Sequence, residues 1–206
     1  KEIFLNIDYF FIDELSEIIN TKRGDQLILL LSKILNLNNK IKVISSSTHV
    51  KNNSYLEFIP EQIIPYIDSR FYQKTELNID DSSTVVYSET IVPGRIAMGE
   101  MFDFDVCYLK TEGSIDKKIQ FRDSSLLIPK EQKTNSITMF DDKTILTSVY
   151  LMTKKPIEKI NEMINEMFSQ LDEISGSSSI MPNKSGLSVR ILGNSSDLPL
   201  MIISGT

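Results

Sequence analysis

Asn52-Asn53-Ser54-Tyr55-Leu56-Glu57-Phe58 returns in outline 29 positions later as Asp81-Ser82-Ser83-Thr84-Val85-Val86-Tyr87. Each copy opens on short polar side chains that hydrogen-bond their own backbone and tolerate left-handed dihedrals, which makes a tight turn. Each then runs into residues suited to a strand, with alternate side chains on opposite faces. Asn38-Asn39-Lys40-Ile41-Lys42-Val43-Ile44 reads as an earlier copy, only 14 positions upstream of the one that opens at Asn52. That short interval suggests a segment missing near His49 and Val50. Units of this size predict stacked β-coils, each burying its apolar side on the next. The expected fold is mainly β, a β-helix-like solenoid body, with an ordinary antiparallel sandwich as the alternative.

The same alternation extends on both sides. Leu77 and Ile79 alternate with Glu76 and Asn78, and Phe102, Phe104, Val106 and Tyr108 alternate with Asp103 and Asp105. Further strands are predicted over residues 119–121, 145–152 and 187–192. Between the last two lies a helical pattern, residues 156–173. There Pro156 suits a first turn, and Ile157, Ile160, Ile164, Met167, Phe168 and Leu171 recur at three- and four-residue steps. The serine-rich stretch 175–179 reads as a flexible linker. Ser196-Asp197 before Leu198 suits the cap of a second helix, giving one or two C-terminal helices in a small layer. The whole chain, 1–206, reads as a single domain clipped at both ends, since it opens on Lys1.

Composition narrows the chemistry. The 206 residues hold 28 acidic and 22 basic side chains, one His and one Cys, for a net charge of −6. A lone Cys107 excludes a disulfide framework within the chain and a Cys-rich zinc site. A lone His49 excludes a His-triad metal site. The acidic balance argues against nucleic acid as a partner. No apolar run is long enough to span a bilayer, and no charged-then-apolar leader opens the chain. The cytoplasm is the expected location, and no membrane partner is expected.

Several motifs have ordinary readings. Arg23-Gly24-Asp25 reads as a turn before a strand, and three glycosylation sequons matter only in a secreted protein. Cys107 and His49 would make a hydrolase dyad only if they met, and Cys107 sits in a strand pattern, so no enzyme is expected. Pro93-Gly94-Arg95-Ile96-Ala97-Met98-Gly99-Glu100 matches neither a dinucleotide fingerprint nor a phosphate loop. It reads as a bend built on Gly94 and Gly99, with Arg95 paired to a carboxylate. Glu89 shares a strand face with Val85, Tyr87 and Ile91. On a core face its carboxylate needs a cation, and Arg95 is the nearest candidate.

The stretch from Tyr87 through Ser88-Glu89-Thr90-Ile91-Val92-Pro93-Gly94-Arg95 to Gly99-Glu100-Met101-Phe102 closely resembles the signature of the urease accessory protein UreD family, called UreH in some organisms. Gly24-Asp25 resembles that family's Gly-Asp turn, and Ile44-Ser45-Ser46-Ser47 its Ser/Thr-rich strand end. Tyr55-Leu56-Glu57-Phe58-Ile59-Pro60 and Gly186-Leu187-Ser188-Val189-Arg190-Ile191-Leu192-Gly193 match further segments in order. The resemblance implies a β-helix-like, non-enzymatic chaperone for nickel insertion into apo-urease. Its implied partners are apo-urease, the helical accessory protein UreF and, through UreF, the GTPase UreG. No tightly bound cofactor is implied, only a nickel ion in transit. An ion handed onward is held weakly at several positions, and carboxylates hold Ni²⁺ less tightly than imidazole or thiolate. Asp25, Glu89 and Glu100 are the candidate passage carboxylates. A β-solenoid module binding protein or carbohydrate, with a row of aromatics including Tyr55, Tyr66, Phe71 and Tyr72, is the alternative.

Overall fold

A computed structural model of the chain describes residues 9–13, 42–46, 48–132, 140 and 143–194. Among these residues eleven strands fall in three sheets. The first pair, β1 (Tyr9–Asp13) and β2 (Lys42–Ser46), is parallel and stands as its own sheet. A four-stranded sheet has the order β3 (Thr48–Val50), β5 (Arg70–Ile79), β7 (Val106–Ile115) and β8 (Lys118–Leu127). A five-stranded sheet runs β10 (Ser175–Ile180), β11 (Gly186–Gly193), β9 (Ile145–Met152), β6 (Thr84–Ile91) and β4 (Tyr55–Phe58). Among the described residues one α-helix, α1 (Glu158–Ser169), packs on the five-stranded sheet.

The 29-residue repeat is realised as strand register. Thr48 pairs with Leu77 in the parallel β3–β5 ladder, and Tyr55 with Thr84 in the parallel β4–β6 ladder. The intervening turns are stitched together as well: the Asn52 N–H donates to Asp80 Oδ2 at 2.7 Å and the Asn53 N–H to Ser82 Oγ at 2.9 Å. Asn52 and Asn53 both sit at positive φ, which the turn-forming asparagines were expected to allow. The stacking ends one strand later. β7 joins β5 in parallel, but it folds straight back into β8 as an antiparallel hairpin, and β6 pairs antiparallel with β9. No solenoid is shown among the described residues, and neither large sheet closes. The fold is mainly β, because two-residue turns such as Asp116-Lys117, both at positive φ, favour hairpins over further coils.

Two further expectations are corrected. The serine run is a strand, β10, paired along its length with β11. The 102–108 alternation also becomes strand only from Val106, since Phe102 sits at φ 59° and breaks the ladder. The strands over 145–152 and 187–192 and the helix are where the pattern placed them. The suggested second helix near Ser196 lies outside the described residues.

Burial divides the interior into three clusters. Val149, Ile157, Ile164, Phe168, Leu187, Val189 and Ile191 fill the space between α1 and its sheet. Between the two large sheets lie two separate groups, one around Ile79, Tyr87, Ile115 and Met152, the other around Phe71, Ile91, Cys107 and Leu109. β5, β6, β7 and β9 each contribute to both groups from their two ends. Each of these four strands puts polar residues in between: Gln73 and Thr75, Glu89, Thr111, and Ser148. A polar belt thus crosses the middle of an otherwise apolar interior.

Candidate functional site

Glu89 is the centre of that belt. β6 alternation turns Val85, Tyr87, Glu89 and Ile91 toward the opposite sheet, and Glu89 is 5% exposed. Three hydroxyls donate to its carboxylate: Thr111 at 3.2 Å and Tyr87 at 3.3 Å to Oε2, and Tyr150 at 3.2 Å to Oε1. Gln73 Nε2 and Thr75 Oγ1 lie 3.3 and 3.2 Å from the Tyr87 hydroxyl, so β5 supports the donor that β6 supplies. The carboxylate is therefore held by groups from both sheets.

Its electrostatics follow from that burial. Loss of water pushes the Glu89 carboxyl above the ordinary glutamate range, while the Thr111 and Tyr150 hydrogen bonds and the Arg190 charge pull it back. The same burial, with the Glu89 charge beside them, raises the Tyr150 and Tyr87 hydroxyls, so both stay protonated donors. Cys107 is pushed up to about 12 by burial and by Glu89, which leaves a thiol with no nucleophilic character at neutral pH.

From Tyr150 the belt continues outward. Its hydroxyl also lies 2.9 Å from Asp123 Oδ2, and Arg190 donates to it at 3.2 Å. Arg190 pairs with Asp123, hydrogen-bonds Ser148 and stands 5.7 Å over the Tyr150 ring. Asp123 belongs to β8 and Arg190 to β11, so this ion pair ties the two sheets together. With side chains 25% and 36% exposed, the pair also forms the half-open outer end of a chain that begins at buried Glu89.

The sequence paired Glu89 with the wrong cation. Arg95 follows the end of β6 and a bend at Gly94, where φ is +140° and an added Cβ would come within 2.8 Å of the Glu100 carbonyl oxygen. Beyond that bend Arg95 is at the surface. Its Nε donates to Glu100 at 2.8 Å, its other nitrogen grips the second carboxylate oxygen, and its guanidinium lies 4.8 Å over the Tyr66 ring. Gly99, at φ 80°, closes the short 3₁₀ turn between the pair. Glu100 is thereby occupied at the surface and is not brought to Glu89. Gly24 and Asp25 lie outside the described residues. Asp123, Thr111, Tyr150 and Arg190 were missed as a group; the one sequence signal was Thr111, a polar residue on the apolar face of Cys107, Leu109 and Ile115.

Among the described residues no three His, Cys, Asp or Glu side chains converge as a metal cage. No described helix is long and apolar enough to cross a membrane. The aromatic row of the alternative reading is not formed. Tyr55 lies on edge strand β4, Tyr66 beneath Arg95, Phe71 in the core, and Tyr72 against Tyr108 with ring centres 5.3 Å apart.

Comparison with known proteins gives a consistent result. A family model described as UreD urease accessory protein matches residues 31–199. The urease accessory protein UreD of Cenarchaeum symbiosum is 30% identical over 176 residues, covering 84% of this chain and 62% of that protein. Its namesake in Acetivibrio thermocellus is 29% identical over 165 residues, covering 80% and 63%. Urease accessory protein UreD 2 of Brucella canis is 31% identical over 145 residues, covering 68% and 48%. The chain thus spans between about half and under two thirds of these relatives' lengths. With the match running from before β2 to beyond β11 and taking in the Glu89 belt and the Arg95–Glu100 turn, the chain belongs to the UreD urease accessory protein family.

Proposed function

We propose that this chain works in the cytoplasm as a non-catalytic scaffold of urease maturation, holding apo-urease with UreF and, through it, UreG while Ni²⁺ moves toward the urease active site. The observation that supports an active part in that transfer is Glu89. An acidic side chain kept inside a protein without a directly paired cation is costly, and it is retained here by hydroxyls from three strands, β6, β7 and β9. Its oxygens and the Tyr and Thr hydroxyls are hard, weakly holding ligands for Ni²⁺, suited to an ion that must leave again. In this reading Glu89 is the inner station and Asp123 the outer one. Asp25 is a further carboxylate of the route, and Glu100 serves the turn that Arg95 closes.

The test is urease activation in cells whose own copy is replaced by Glu89→Ala, Asp123→Ala or Asp25→Ala versions. Intact assembly with UreF and urease, accompanied by activation reduced at least tenfold, is the expected outcome for Glu89→Ala. Full activation by that variant rejects the interior route. Failure of the unaltered chain to associate with either protein rejects the scaffold.

A further inference from the structure

Three oxygens converge on a single positive charge at the outer end of the belt. Arg190 donates through Nη2 to Asp123 Oδ2, and through Nη1 to Ser148 Oγ and, at 3.2 Å, to the Tyr150 hydroxyl oxygen. Asp123 Oδ2 and that hydroxyl lie 2.9 Å apart, and the hydroxyl in turn reaches Glu89 Oε1 at 3.2 Å. A carboxylate and two hydroxyls gathered in this way suit a hard cation, and the guanidinium already fills the place. The same oxygens lie between the surface and Glu89. Like charges a few ångströms apart repel strongly where water is partly excluded, so an ion and the guanidinium exclude one another at Asp123.

Strand register leaves the guanidinium somewhere to go. Arg190 of β11 pairs with Ser148 of β9 on one side and with Ser177 of β10 on the other. These three side chains share one face of the sheet, opposite the face on which Val189 and Ile191 pack under α1. Ser177 is small and exposed, and β10 is the last strand of its sheet. Rotation of the long arginine side chain away from Ser148 and over Ser177 carries its charge to open surface while both sheets stay in place.

We propose that Arg190 is the gate of the ion route: its guanidinium occupies the outer station and swings aside for Ni²⁺ to pass to Glu89. The inference rests on the route reading, to which it adds the residue that opens and closes it. It also accounts for weak holding, because a guanidinium that returns to Asp123 competes with the ion and favours its departure. Arg190 is a positioning residue here, acting through Asp123 and Tyr150 rather than touching the ion.

The experiment measures Ni²⁺ uptake by the full purified chain in equilibrium dialysis. The versions are the wild type, Arg190→Gln, Arg190→Lys, Ser148→Ala, Glu89→Gln, and Arg190→Gln combined with Glu89→Gln, with thermal melting of each followed beside it. Arg190→Gln removes the competing charge and is expected to bind Ni²⁺ about tenfold more tightly than the wild type, or better. Removing a merely structural contact would not raise affinity, so the gain is the signature. Arg190→Lys keeps the charge and is expected to stay within about threefold of the wild type. Ser148→Ala spares the ion pair but releases one of the three holds on the guanidinium, for an expected gain of about two- to fivefold. It carries the test should Arg190→Gln fail to fold. Adding Glu89→Gln to Arg190→Gln is expected to cancel the gain.

Affinity no higher than the wild type's in the folded gate variant, with Glu89→Gln still weakening uptake, overturns the gate and leaves the route standing. An equal gain in Arg190→Lys overturns it too, since charge is then not what closes the station. So does a gain that survives the combination, because the ion then stops at Asp123. Uptake that Glu89→Gln leaves unchanged in both backgrounds, or no uptake by any version, removes the route and the gate together.

Discussion

Tyr150 has one hydroxyl hydrogen and two carboxylates within its reach, Glu89 Oε1 at 3.2 Å and Asp123 Oδ2 at 2.9 Å. The hydrogen serves one of them at a time, while Arg190 donates to the hydroxyl oxygen and to Asp123. When Glu89 is ionised, the belt is short of one donor; when it is protonated, Glu89 donates to Tyr150 and Tyr150 to Asp123. Stability follows with a definite sign. Because the folded protein holds the Glu89 proton more tightly than the unfolded chain does, stability rises as pH falls from neutrality through the raised value toward the ordinary glutamate range. Glu89→Gln is expected to lose that slope and to melt higher than wild type at pH 8. The gap should shrink toward pH 5, and parallel thermal scans across that range check it. Arg190→Met removes the charge that favours ionised Glu89 and three hydrogen bonds. It is expected to cost about 2–3 kcal/mol in denaturant unfolding and to move the pH slope upward. Glu89 was legible as a buried acid because alternation fixes which face it shares. Its partners were not, because Thr111, Tyr150 and Arg190 sit on three other strands and come near it only once the sheets have formed, and nearness along the chain pointed to Arg95 instead.

α1 and β10 form a unit that neither would make alone. The Asn165 side chain accepts from the Ser178 N–H at 2.8 Å and donates to the Ser178 carbonyl at 2.9 Å, completing the backbone bonds of an edge strand. Asn165→Ala is expected to cost about 1–3 kcal/mol and to speed hydrogen exchange at Ser178. Phe168, 5% exposed, lies so close to Gly176 that an added Cβ would meet its ring at 2.5 Å. Phe168→Ala is expected to cost about 3–5 kcal/mol by leaving a cavity. Chemical denaturation checks both, and a loss below about half a kcal/mol at Phe168 would remove the helix from the core. The helix itself was readable from its three- and four-residue spacing. The strand was not, since five of its six residues are Ser or Gly and carry no apolar alternation; β11 and Asn165 supply what its own side chains lack.

At the scale of the molecule the 29-residue interval was read correctly and extrapolated too far. It describes two stacked strand–turn–strand rungs whose turns are bonded to each other, after which the Asp116-Lys117 turn sends the chain into hairpins. Local pattern shows where a strand lies; whether the next one continues a coil or doubles back depends on turn dihedrals that alternation does not encode. The grip of Asn165 on β10 reaches beyond folding. Were α1 to lift away, a proline-free stretch of six residues without a single charge would stand uncovered along one border of the sheet. Two molecules in that condition would be able to zip together there, so loosening the helix is expected to expose residues 175–180 as a seam for clumping under heat.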